Sequence, residues 1–185
     1  MNLSEKKEKP KTHKFELLYS QDKIARRIKE LGEQISGDYA GKNPILIGVL
    51  KGCTIFLADL IRQISEPIEI DFVDASSYNG GESRDENIIF SREPEKTLTG
   101  RHVLLVEGVV DSGHTAQEIS RLVKLQEPAS IEIVTLLDKS KCRKMPVDIK
   151  YRGFEAGDYF VIGYGLDQDQ KYRNLPFIGR VLNGE

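Results

Sequence analysis

The segment Val103–Thr115, VLLVEGVVDSGHT, constrains the fold more than any other stretch of the chain. Val103 to Val106 is an unbroken run of valine and leucine, lacking the polar alternation of a strand with one face in water. Such a run suits a central parallel strand covered on both faces. It ends in Glu107, so charge is expected at the carboxyl edge of the sheet, where open α/β folds bind their ligands. Asp111, Ser112, Gly113, His114 and Thr115 then make a small-residue turn into a helical pattern carried by Ile119, Leu122 and Val123. Backbone N–H groups at a helix N-terminus, with hydroxyls from Ser112 and Thr115, suit a phosphate. The carboxylates suggest sugar hydroxyls or a metal nearby. An ordinary strand, turn and capped helix would use the same letters.

The neighbouring segments repeat the alternation of strand and helix. Ile24, Ile28, Leu31 and Ile35 recur at helical spacing within Gln21–Ser36 and predict an amphipathic surface helix, closed by Gly37, Asp38 and Gly41. Ile45–Leu50, ILIGVL, reads as a buried strand with Lys51 and Gly52 at its end. A helix follows, with Phe56, Leu57, Leu60, Ile61 and Ile64 on its apolar side and Thr54 as its cap. Ile68–Ser77 alternates as a strand. Beyond it, Ser77 to Asn87 is a long glycine-containing loop, readable as an active-site lid or as a surface hairpin.

Ile131–Leu137 supplies another apolar strand, and the largely basic stretch Asp138–Lys144 reads as a solvated loop for most of its members. The last third predicts a strand, a turn, a strand and a structured tail. Phe160 lies there in an aromatic and β-branched run, a composition that favours the core. The class that follows is α/β, a twisted, mainly parallel sheet flanked by helices.

The chain has 185 residues, enough for one domain with a real core, expected over 15–185 behind a lysine-rich solvated tail over 1–14. A net charge of −2 argues against a nucleic-acid binder driven by a basic surface, and no apolar run approaches a membrane span. The two cysteines, Cys53 and Cys142, lack partners at metal-ligand spacing, which with the absence of a signal sequence favours the cytoplasm. Cys53 reads as a small buried thiol more readily than as a nucleophile. No G-x-G-x-x-G motif follows a strand, which disfavours a dinucleotide-binding domain.

Taken together, these motifs resemble the type I phosphoribosyltransferases. VEGVVDSGHT is similar to that family's signature for phosphoribosyl pyrophosphate (PRPP), in which an apolar strand is followed by paired acids, two apolar residues, Asp, Ser or Thr, Gly, any residue and Thr. Leu50–Gly52, LKG, resembles the pyrophosphate loop of the purine enzymes, where the backbone adopts an unusual peptide geometry. SSY and the C-terminal FVIGYGLD with KYRNLPFIG resemble the lid and the purine segment of bacterial hypoxanthine (hypoxanthine-guanine) phosphoribosyltransferases. The resemblance runs from about Leu17 to Leu182.

It implies the type I phosphoribosyltransferase fold, with a small hood built from the chain ends. The implied reaction moves the 5-phosphoribosyl group from PRPP to N9 of a 6-oxopurine base, hypoxanthine or guanine, with Mg²⁺ as cofactor. The products would be a nucleoside monophosphate and pyrophosphate, and the assembly a homodimer or homotetramer. Asp111 is implied as the catalytic general base, and Glu107 as the holder of ribose hydroxyls. Ser112, Gly113, His114 and Thr115 would bind the 5′-phosphate, His114 through its backbone N–H. Lys51, Gly52 and Arg173 would take pyrophosphate. Ser77 and Tyr78 would belong to the lid. Lys139 would donate to the exocyclic purine oxygen, Phe160 would stack on the base, and Val161 would offer backbone groups to its edge. Asp167 would lie near the base and share the metal with Glu107.

One position departs from the pattern: Gly108 stands where the family usually carries the second paired acid. Losing one charge-assisted hydrogen bond costs about 1.5–3 kcal/mol. The expectation is that ribose and metal are held less firmly, raising the requirement for PRPP or Mg²⁺ while leaving base recognition intact. The alternative is a regulator that senses PRPP or a nucleotide, with the same fold and weakened catalysis.

Overall fold

The strands that the sequence marks as unbroken apolar runs lie at the centre of a mainly parallel sheet in the computed structural model, which describes residues 15–78, 87–92 and 94–182. The expected tail over 1–14 lies outside the described residues. In chain order the elements are β1 (Phe15–Tyr19), α1 (Gln21–Asp38), β2 (Ile45–Leu50), α2 (Thr54–Ile61), β3 (Glu69–Tyr78), β4 (Asn87–Arg92), β5 (His102–Val110), α3 (His114–Lys124), β6 (Ser130–Asp138), β7 (Tyr151–Glu155), β8 (Val161–Ile162) and β9 (Ile178–Val181). The main sheet has the order β4-β3-β2-β5-β6-β7. Its strands from β3 to β7 run parallel, and β4 is an antiparallel edge. A second, antiparallel sheet, β1-β9-β8, is built from the two chain ends and forms the expected hood.

Side chains alternate across a strand, so a strand covered on both faces must be apolar at every position. Leu46, Leu104, Val106, Val134 and Leu136 face α1 and α2, packing with Ile24, Ile28, Leu31, Phe56 and Leu60. Ile45, Ile47, Val103, Leu105 and Ile133 form the opposite core with Ala116, Ile119 and Val123 of α3. The helical spacing of Ile24, Ile28, Leu31 and Ile35 buries those residues as expected, and Ser20 caps α1 by accepting from the Lys23 N–H.

Several local expectations change. Helix α2 has no side-chain cap; the Thr54 hydroxyl donates instead to the Lys51 carbonyl at 2.7 Å, and Ile64 lies beyond the helix, still packed on the core. Strand β5 does not stop at Glu107. It continues to Val110, because β6 keeps offering backbone partners: Glu107 faces Thr135, and Val110 faces Asp138. The supposed loop from Ser77 begins as strand, with Ser77 opposite Ile88 and Tyr78 opposite Asn87. Residues 79–86, the remainder of the expected lid, lie outside the described residues. In the last third the aromatic run contributes only the two residues of β8, paired to Gly179 and Arg180.

The topology fixes where a ligand can enter. From β2 the chain crosses to β3 on one side, whereas β5, β6 and β7 lie on the other. Pairing of β2 with β5 ends at Gly48 opposite Val106, so beyond that point the two strands separate. This is the switch point at which the carboxyl ends of parallel strands open a crevice.

Candidate active site

The crevice is a pocket of about 210 Å³ whose walls come from the ends of β2 and β5 and the start of α3. Leu50 and Gly52 lie on one side. Glu107, Gly108, Asp111, Ser112, Gly113 and Thr115 lie on the other, and Leu166 closes the top. Two larger hollows, of about 450 and 620 Å³, lie against α1 with α2 and against the outer face of α3; only the former touches an expected site residue, Arg173.

Gly113 opens α3 with φ 92°, a left-handed conformation that glycine adopts without steric cost. It is also a position without space: a Cβ there would lie 2.9 Å from the Met145 carbonyl oxygen and from Val147. The turn is pinned from the same side, since the Lys144 and Met145 N–H groups both donate to the Ser112 carbonyl, at 2.9 and 3.0 Å. The first bond of the helix runs from the Gln117 N–H to the Gly113 carbonyl. The amides of His114, Thr115 and Ala116 therefore have no acceptor within the helix and, with the positive end of the helix dipole, suit an anion.

Glu107 lines this pocket while remaining buried. Burial pushes its carboxyl up to about 8. Burial thus disfavours the charged form of this carboxyl. Cys53 lies buried nearby, its thiol pushed up to about 12 by burial and then by Glu107. That makes it a core thiol rather than a nucleophile.

Asp111 ends the strand with a half-exposed side chain, and Lys139 Nζ donates to its Oδ2 at 2.7 Å. Lys139 is itself buried, and its N–H is fixed by the Val110 carbonyl at 3.0 Å. A point cation and a carboxylate are thus held together at the end of β5. Beside them lies a residue that the sequence placed in solvent. Asp138, expected in a solvated loop, is only 1 % exposed and takes Arg152 Nε at 2.7 Å and the Arg143 guanidinium. An Asp closing an apolar run was the available signal, because the β6 terminus is buried along with its strand.

The remaining expected residues gather around the hood. Phe160, placed in the core by composition, is 54 % exposed, a large apolar surface free to meet a planar ligand. Val161 follows it in β8, the edge strand of the hood sheet. Asp167 and Arg173 form an ion pair at 2.7 Å, and Arg173 also donates to the Gly165 carbonyl at 2.7 Å. Asp167 accepts from the Gln170 N–H at 2.8 Å, so acid and guanidinium are two sides of one tight turn. Lys51 is exposed at the end of β2, and the Leu50–Lys51 peptide is cis, an unusual geometry of the kind the resemblance implies for this loop. The structure thus brings Glu107, Asp111, Ser112, Gly113, Thr115 and Gly52 into one pocket, whereas Lys51, His114, Arg173, Lys139 and Phe160 stand outside its lining.

Comparison with known proteins converges on one family. A phosphoribosyl transferase domain model matches residues 16–169. The hypoxanthine phosphoribosyltransferase of Haemophilus influenzae is 40 % identical over 175 residues, covering 93 % of this chain and 98 % of that protein. The hypoxanthine-guanine phosphoribosyltransferase of Streptococcus pneumoniae is 44 % identical over 163 residues, covering 88 % and 91 %. Among solved structures, a hypoxanthine phosphoribosyltransferase from Staphylococcus aureus superposes with a TM-score of 0.87 at 40 % identity, covering 90 % of this chain and 91 % of that one.

Proposed function

This chain belongs to the phosphoribosyl transferase domain family, and from that premise we propose that it is a purine-salvage enzyme joining the phosphoribosyl group of PRPP to hypoxanthine or guanine. The products are IMP or GMP and pyrophosphate. The observation that carries the choice of base is the Lys139–Asp111 pair, held at 2.7 Å at the end of β5. A 6-oxopurine presents a carbonyl oxygen beside N7. An ammonium next to a carboxylate complements that edge: Lys139 donates to the oxygen while Asp111 accepts the proton at N7.

In the reaction the bond from ribose C1 to the pyrophosphate oxygen breaks, and the bond from C1 to purine N9 forms. The base proton passes to Asp111. Negative charge accumulates on the departing pyrophosphate, and Lys51, the Gly52 amide and Arg173 are the groups of this chain that stabilise it. The turn at Ser112–Thr115 anchors the 5′-phosphate, and Glu107 hydrogen-bonds the ribose. Phe160 stacks on the purine, and Val161 offers backbone groups to its edge. Ser77 and Tyr78 are the lid residues of this reading, whose role is to keep water from an oxocarbenium-like sugar.

The residues present suit Mg²⁺ as a cation carried with the substrate. Magnesium is commonly held by one or two carboxylates, with waters and substrate phosphates completing its shell. Among the described residues no cluster of three or more His, Cys, Asp or Glu forms a cage. Glu107 lines the pocket, and Asp167 directly follows Leu166, which lines it as well. Those two side chains would hold the ion, which would neutralise charge on the pyrophosphate. A cytoplasmic homodimer or homotetramer, with one catalytic domain over 15–185, completes the reading.

The test is incubation of the purified protein with PRPP and Mg²⁺ and, separately, hypoxanthine, guanine or xanthine, with nucleotide resolved by chromatography. Formation of IMP or GMP is expected. Binding of PRPP with no nucleotide formed would instead identify a regulator.

A further inference from the structure

The carbonyl of Gly52 is lodged against two glycines from distant parts of the chain. A Cβ built on Gly108 would lie 2.6 Å from the Gly52 oxygen and 2.8 Å from its carbonyl carbon. A Cβ on Gly165 would also come within 2.6 Å of that oxygen. Carbon atoms do not approach backbone so closely, and a backbone carbonyl, unlike the tip of a long side chain, cannot swing aside without moving its turn. A Cβ on Gly52 itself would meet only Leu166, at 3.5 Å, an ordinary contact. Gly165 is bound to its own place by Arg173, whose carbonyl accepts the Gly165 N–H at 2.9 Å.

We propose that Gly108 is a positioning residue whose missing side chain lets the Leu50–Gly52 turn seat against β5, setting the shape of the pocket that receives the pyrophosphate end of PRPP. The identity of the ligand rests on the proposed function; the seating of the turn does not. Gly52, Gly108 and Leu166 line the same pocket as Gly113 and Thr115, so a shift of the Gly52 carbonyl changes the distance between the pyrophosphate turn and the 5′-phosphate turn. The departure from the usual paired acids then has a local reason. The volume that an acid's Cβ would need at position 108 is filled by the Gly52 carbonyl.

Lost-carboxylate and seating explanations predict opposite results for two substitutions. If Gly108 were only a missing ligand, Gly108→Ala would behave as wild type and Gly108→Asp would lower the KM for PRPP. Seating predicts that both variants raise the KM for PRPP, and for pyrophosphate in the reverse reaction, at least about tenfold (an effect of about 1.4 kcal/mol). The KM for hypoxanthine should stay within about twofold.

Hydrogen exchange supplies a readout independent of turnover. Exchange at the amides of Gly52–Thr54 should accelerate in Gly108→Ala while the amides of β5 and α3 away from position 108 keep their protection. IMP binding, which uses the 5′-phosphate turn, should remain within about threefold of wild type. An unchanged pyrophosphate KM in Gly108→Ala, a lowered PRPP KM in Gly108→Asp, or loss of protection throughout β5 and α3 would overturn the proposal. If the wild type forms no nucleotide, the proposed function fails, and the exchange experiment alone decides the seating: acceleration confined to Gly52–Thr54 supports it, and unchanged exchange overturns it.

Discussion

Replacing Lys139 with methionine should separate the stability of this protein from its chemistry. Lys139 and Asp111 form a 2.7 Å ion pair, but the partners are solvated unequally: side-chain exposure is 9 % for the lysine and 51 % for the aspartate. When the ammonium is removed, Asp111 can turn its carboxylate to water, so no buried unpaired charge is left behind. Methionine fills most of the space of the lysine stem, which is the part that packs. The cost to stability should therefore stay below about 1 kcal/mol, the range of solvated pairs. The catalytic cost should be larger. The purine oxygen loses a charge-assisted hydrogen bond of about 1.5–3 kcal/mol, equivalent to a fall of roughly 10- to 150-fold in kcat/KM for hypoxanthine. Urea unfolding followed by circular dichroism gives the first quantity, and initial rates at saturating PRPP give the second. A kcat/KM within about threefold of wild type would refute the assignment of Lys139 to the base. So would a loss carried by the KM for PRPP with hypoxanthine kinetics unchanged.

Asp138→Asn should destabilise the fold by about 1–3 kcal/mol, because the largely buried Arg143 is left facing an amide while the half-exposed Arg152 can turn to water; urea unfolding checks this. Gly113→Ala should cost about 2–4 kcal/mol, combining the left-handed φ with overpacking against Met145 and Val147, and should raise the KM for PRPP. Cys53 should resist iodoacetamide at pH 8 in the folded protein and react after unfolding in urea, as read by mass spectrometry. Its raised pKa also gives a signed pH effect. The unfolded thiol ionises from about pH 9 while the folded one keeps its proton to about 12, so this contribution is present below pH 9 and lost as pH rises across that interval. The thermal midpoint of Cys53→Ala should accordingly fall less steeply than that of wild type between pH 9 and 11.

The architecture was legible in the sequence wherever burial leaves a period or a run. The isoleucines of α1, the ILIGVL and IEIVTLL strands and the glycine before α3 each report a local requirement: a covered face, two covered faces, or a backbone conformation that glycine adopts most easily. Those requirements act between residues near in sequence, so the order of letters alone carries them. Where a strand ends is a different matter. Strand β5 runs past Glu107 because β6 continues to pair with it, and Phe160 is exposed even though its carbonyl accepts the Val181 N–H at the edge of the hood sheet.

The sequence by itself therefore determined the α/β layering, the glycine turn at Ser112–Thr115 and the order of the motifs along the chain. Tertiary structure alone decided how those motifs meet. It buried Glu107, paired Lys139 with Asp111 beside a buried Asp138, and set the Gly52 carbonyl against both Gly108 and Gly165. Each of these depends on the close approach of segments far apart in the chain. A glycine that reads in sequence as a missing acid reads in space as room for a backbone, because steric exclusion acts on neighbours in three dimensions.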